Sequence, residues 1–127
     1  CHAPGSFITY DEKTKTLFSS DIFGSYDAGW ELYLDLDEQC ISCEGKPVCE
    51  RGGKKCPLEG IKLFHRQIMS STKALAHTLD VIDSIEAEIV APQHGSILSS
   101  RRDINAVKRH LRSLESVGID YVLRDIK

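Results

Sequence analysis

The chain lacks any long apolar run; nothing in its 127 residues approaches the roughly 18 consecutive apolar positions that would suggest a membrane span. It also lacks a basic start followed by an apolar stretch, so no signal peptide is visible and a reducing cytoplasm is the expected compartment. Surplus positive charge is missing as well. Sixteen Lys and Arg against nineteen Asp and Glu leave a net charge of −3, which offers no electrostatic footprint for nucleic acid. What remains, at 41% hydrophobic and 28% charged, is the composition of one soluble globular domain able to bury a core.

Cysteine, by contrast, is abundant. Cys1 stands alone, while Cys40, Cys43, Cys49 and Cys56 crowd into one stretch with the spacing C-x2-C-x5-C-x6-C. That stretch holds Gly45, Pro47, Gly52 and Gly53 and almost no apolar side chain, so a crosslink or an ion is needed to order it. Four thiolates around a tetrahedral Zn²⁺ satisfy the need as a structural site. An iron–sulfur cluster competes, since Cys56 precedes Pro57, and free or disulfide-linked thiols complete the alternatives.

Apolar periodicity predicts the flanking elements. Two short runs, 6–10 and 16–22, surround a charged turn at 11–15 and read as a β-hairpin. Residues 31–38 alternate Leu32, Leu34 and Leu36 with acids and fit a strand or a short helical turn. Ile61, Phe64 and Ile68, then Leu75, Leu79 and Ile82, recur at helical spacing, as two helices or one broken near Ser71. A short β run through Val90 ends at Pro92, with His94 in the loop beyond it. Ser100 to Asp103 forms a capping box for a helix with Ile104, Val107, Leu111 and Leu114 on one stripe, closed by Gly118. Its Arg101, Arg102, Lys108, Arg109 and Arg112 read as a solvated face, and 119–123 as an edge strand or a connection.

The hairpin places His2 just before its first strand and Asp21 at the end of its second, hence at one edge of a sheet. Imidazole beside carboxylate in such a place suits a metal ion, and His94 in A-P-Q-H-G-S is a third candidate. Tyr26 and Trp30, in the glycine-containing loop after Asp21, are candidate walls of the pocket, and His65 is a weaker candidate for facing it. H-A-P-G-S-F, L-F-S-S-D-I-F-G and A-P-Q-H-G-S occur in this order, and together they resemble the metallo-β-lactamase superfamily, in particular the flavodiiron proteins and the oxygen-binding diiron proteins. The resemblance runs from His2 to about Ile97, interrupted between Cys40 and Cys56.

It implies an α/β fold, half of a metallo-β-lactamase-like αββα sandwich, with the cysteine-rich stretch at about 39–57 as an insert. It also implies that His2 binds one metal, Asp21 bridges both and His94 binds the other. The family's upstream ligand group, H-x-E-x-D-H, does not occur here, so residues 1–127 are expected to be the C-terminal half of a domain whose other half supplies it. The implied cofactor is a pair of non-haem iron ions, and the implied ligand is O2, bound by a sensor or by a flavodiiron-type oxygen or NO reductase. A redox or signalling partner and a homodimer fit the same picture. A dizinc hydrolase and a cysteine-anchored interaction module are the alternatives.

Overall fold

The computed structural model describes residues 5–26, 31–43 and 56–124. Strands β1 (Thr9–Asp11) and β2 (Thr16–Ser20) form the expected antiparallel hairpin, with Tyr10 opposite Leu17. Asp11 holds the turn: its carboxylate accepts from the Thr14 hydroxyl at 2.5 Å and from the Lys13 amide at 3.2 Å. Those bonds, the hydroxyl's first, pull the Asp11 pKa below the usual carboxylate value.

The open 31–38 segment resolves into β3 (Tyr33–Leu34) and the start of α1 (Glu38–Ser42), capped by the Asp37 side chain on the Cys40 amide. Helices α2 (Glu59–Ile68) and α3 (Thr72–Asp83) are separate, and the Ser71 hydroxyl caps the second by accepting from Ala74. Strand β4 (Ile89–Pro92) follows, then β5 (Ile97–Leu98), α4 (Arg101–Arg112) and α5 (Ile119–Leu123). Among the described residues the five strands form one sheet in the order β1-β2-β4-β5-β3.

One face of this sheet carries the core. Leu17, Val90 and Leu98 are fully buried against the helical layer, where α4 supplies Ile104, Val107 and Leu111, α3 supplies Leu75, Leu79 and Ile82, and α2 supplies Ile61. On the opposite face Phe18 is 51% exposed, and a groove runs past Thr9, Phe18, Ala91 and Pro92. The fold is therefore α/β with one sheet and one helical layer, the arrangement expected of half an αββα sandwich. No helix among the described residues is long and apolar enough to cross a membrane.

Two expectations for the C-terminal region are corrected. Gly118 does not close α4, which ends at Arg112 with Ser113 as its cap; it precedes α5 in a backbone conformation with φ +64° and ψ −124°. Residues 119–123 form a short helix, not a strand. The β-branched Ile119 and Val122 suggest extended backbone, but Gly118 turns the chain so that its carbonyl accepts from the amides of Tyr121 and Val122.

The basic side chains of α4 tie it to its neighbours as well as facing solvent. Arg102 reaches Glu38 and the Leu36 carbonyl, Arg109 the Ile41 carbonyl, and Lys108 and Arg112 both reach Asp83. Asp83 accordingly has a lowered pKa, chiefly through the Lys108 hydrogen bond. At the other end of the ladder of stabilising contacts, the Ser100 hydroxyl accepts from the Asp103 amide at 3.2 Å. Ser100→Ala should therefore lower stability by about 1 kcal/mol in urea unfolding, with the m-value unchanged.

Candidate metal centre

Strands β2 and β4 are parallel neighbours, with Leu17 beside Val90 and Ser20 beside Pro92. Their C-terminal ends therefore emerge at the same edge, and the segments that follow them carry Asp21 and His94. This pairing is the physical reason that two residues so distant in sequence meet. The Oδ1 atom of Asp21 lies 3.6 Å from Nε2 of His94.

The turn after β2 is shaped by what it buries. Ile22 and Phe23 drop into the core, leaving the Asp21 side chain at the rim, 12% exposed, beside a His94 side chain that is 55% exposed. Ser20 and Phe23 on either side adopt positive φ, +55° and +70°, which side-chain-bearing residues rarely hold without support. The support is a set of bonds within the turn: Ile22 amide to Ser19 carbonyl at 3.1 Å, Gly24 amide to Asp21 carbonyl at 3.0 Å, and Ser19 hydroxyl to Ile22 carbonyl at 2.6 Å. Two further bonds lace this turn to the His94 loop, from the Gln93 amide to the Ser20 carbonyl at 2.7 Å and from the Ser25 amide to the His94 carbonyl at 3.2 Å.

The D-x-F-G motif acquires a steric reason here. A Cβ on Gly24 would sit 2.9 Å from the Asp21 carbonyl oxygen and 3.0 Å from the Phe64 ring, so only glycine lets the ring close over the turn. Phe64 lies 6.3 Å from the His94 ring, centroid to centroid, and Tyr26 packs edge-on against Phe64 at 4.9 Å. Tyr26, a candidate wall by sequence, packs on Phe64 and is half-exposed. Trp30 and His2 lie outside the described residues.

A carboxylate oxygen and an imidazole nitrogen at this separation can both reach one ion through bonds of about 2.0–2.2 Å. Oxygen and nitrogen donors of this kind suit iron as well as zinc. Among the described residues no group of three or more His, Cys, Asp and Glu side chains stands ready to hold a metal. Cys40 is buried in the core, Cys56 packs on its margin and Cys43 is half-buried at the end of α1. Cys49 is outside the described residues, so the four-thiol reading extends beyond them.

One neighbour of the site is poorly signalled by sequence. His65 is fully buried on α2, next to Phe64, with Nδ1 2.7 Å from the Ile61 carbonyl and Nε2 3.1 Å from the Phe23 amide. Its place four residues after Ile61 and three before Ile68 puts an imidazole on an apolar stripe, and that is the signal available. His77 is exposed on α3.

The family model of the ODP family beta lactamases matches residues 1–95, a span that includes Asp21 and His94. The chain belongs to this family. Its fold is shared with the solved structure described as the peroxy diiron species of chemotaxis sensor ODP, at a TM-score of 0.73 and 26% identity over 95% of this chain. The apo state of chemotaxis sensor ODP from T. denticola is similar, at a TM-score of 0.70 and 28% identity, again over 95% of this chain. The chain spans less than half the length of these ODP structures, 44% and 43%. No curated protein matches it.

Proposed function

We propose that these residues carry part of a dinuclear iron site that binds O2 and serves as an oxygen-sensing domain. The observation that carries this reading is the meeting of Asp21 and His94, 3.6 Å apart, at the shared edge of two parallel strands in a chain of the ODP family. Two solved relatives described as a chemotaxis sensor, one of them a diiron species, favour sensing over the reductase and hydrolase alternatives.

Asp21 offers two oxygens, so it can bridge two cations and offset their repulsion, as a shared carboxylate does in two-metal sites. His94 would supply a nitrogen to one ion, and His2, which lies outside the described residues, would supply one to the other. Two histidines and one carboxylate cannot fill two coordination shells. The remaining ligands would have to come from other protein, and the resemblance implies an H-x-E-x-D-H group for that task. A reduced iron pair with an open position supplies the O2-binding chemistry. Phe64 lies beside the site, 6.3 Å from the His94 ring, with Tyr26 packed edge-on against it.

The full-length protein should bind about two iron ions per chain and change its visible absorption reversibly with O2. Asp21→Ala should lose both ions, and His94→Ala should weaken binding at least tenfold in anaerobic Fe(II) titration. A colourless protein holding two zinc ions and hydrolysing esters or thioesters would overturn the reading. Sustained O2 or NO consumption from reduced flavin would replace the sensor with a reductase.

A further inference from the structure

We propose that His65 is a positioning residue for Asp21, fixing the turn that carries this carboxylate by accepting the Phe23 amide on an imidazole held in a single tautomer. The inference rests on the reading of Asp21 as a bridging ligand.

The Ile61 carbonyl can only accept, so the 2.7 Å contact requires the proton of a neutral His65 to sit on Nδ1. Nε2 is then an acceptor, and the Phe23 N–H donates to it at 3.1 Å. With the imidazole fully buried, water does not compete for either position. Phe23 is two residues from Asp21 and holds φ +70°, so a bond that fixes its amide also fixes the direction of the turn that carries Asp21. The turn bonds described above are internal or run to the equally loop-borne His94 segment. His65 instead anchors it to α2, a helix of ten residues packed in the core by Ile61 and Phe64.

The same helix thus delivers two adjacent side chains to the site with different tasks. Phe64 covers the ligand edge, and His65 sets the height of the turn beneath it. A carboxylate that must meet two ions at once tolerates displacement poorly, because ligand geometry has to hold within about 0.5 Å. Losing an outer partner of this kind typically weakens metal binding by about 10–100-fold.

The test compares two amide replacements in the full-length protein, with Co(II) as the probe metal. His65→Asn keeps a donor near the Nδ1 position and leaves nothing within reach of Phe23. His65→Gln places an amide oxygen near the Nε2 position. The expected result is Co(II) affinity lowered about 10–100-fold in His65→Asn with altered ligand-field absorption bands, largely restored in His65→Gln. A merely structural histidine would lower the melting temperature of His65→Asn while leaving Co(II) affinity and spectrum as in wild type, and that result overturns the proposal. If neither variant folds, imidazole ¹⁵N shifts of the wild type decide: the Nδ1–H tautomer supports the proposal, and the Nε2–H tautomer or an imidazolium at neutral pH overturns it. Asp21→Ala separates the two levels. Wild-type Co(II) binding in that variant removes the bridging role itself, whereas lost binding there with no effect of His65→Asn removes only the positioning role.

Discussion

Gly118→Ala should destabilise the fold by about 3–4 kcal/mol, seen as a lower urea midpoint and a melting temperature reduced by about 10 °C or more. Two independent causes add. The backbone at Gly118, φ +64° and ψ −124°, lies outside the regions that L side chains accept. A Cβ there would also stand 2.1 Å from the Met69 carbonyl oxygen and 2.5 Å from the Ser70 carbonyl carbon and oxygen. These are backbone atoms, so no rotamer change relieves the overlap.

The chain cannot simply retreat, because the close approach is a working junction. The Gly118 amide donates to the Arg66 carbonyl at 2.7 Å, the Ile119 amide to the Ser70 carbonyl at 3.2 Å, and Ser71 pairs with Gly118 as an isolated bridge. The link between α2 and α3 is thereby clamped to the start of α5, and the Asp120 carboxylate adds a bond by accepting from the Thr72 hydroxyl at 3.2 Å. Opening the junction to admit a methyl group would release these bonds together. A measured cost below about 1 kcal/mol would mean that the chain crosses Met69 and Ser70 at a greater distance than described.

How much of this was legible beforehand depends on the range over which each signal acts. The hairpin was readable because Asp11 to Lys15 is a local turn and the flanking runs are short. Helices α2, α3 and α4 were readable because Ile61, Leu75 and Ile104 begin stripes whose period is a property of one segment. The parallel pairing of β2 with β4 was not, since the partners of Leu17 lie beyond three helices and no spacing within either strand names the other. Asp21 and His94 could be singled out as candidates from their motifs, but their meeting follows from that long-range pairing. Strand β5 is two residues long and too short for any periodicity. Residues 119–123 fit an edge strand or a connection by sequence, whereas their helix depends on a turn whose geometry is set by Met69 and Ser70, far away in sequence.

The cysteines illustrate the same limit from the chemical side. Spacing groups Cys40 with Cys43, Cys49 and Cys56 as candidate ligands; Cys40 lies in the hydrophobic core at the buried face of α1, where the Asp37 cap and the Arg109 bond to Ile41 hold the helix against α4, and Cys49 lies outside the described residues. Burial of a cysteine among apolar neighbours is common, and a spacing pattern contains no information about it.

Acid should destabilise the protein in a window set by His65, above the range in which Asp11 and Asp83 lose their contributions. Burial, opposed in part by the bond to Ile61, pushes the His65 pKa down from 6.5 to about 4. The unfolded chain takes up this proton near pH 6.5, and the folded chain resists it until about pH 4. Between those values the unfolded state binds more protons, so stability is complete above pH 6.5 and declines as the pH falls. By pH 4 the loss from this one group reaches about 3 kcal/mol. Protonation below that point would turn Nε2 into a donor facing the Phe23 amide, so the native contact itself fails. His110, also lowered chiefly by burial and then by nearby Lys62, declines in the same direction. Asp11 and Asp83 have depressed pKa values, so their contributions are present above pH 3.8 and disappear below it, in a separate range. Urea unfolding at a series of pH values resolves the two regimes. His65→Gln, which cannot titrate, should remove most of the slope between pH 6.5 and 4 while leaving the carboxylate regime in place; an unchanged slope would mean that the imidazole is open to solvent.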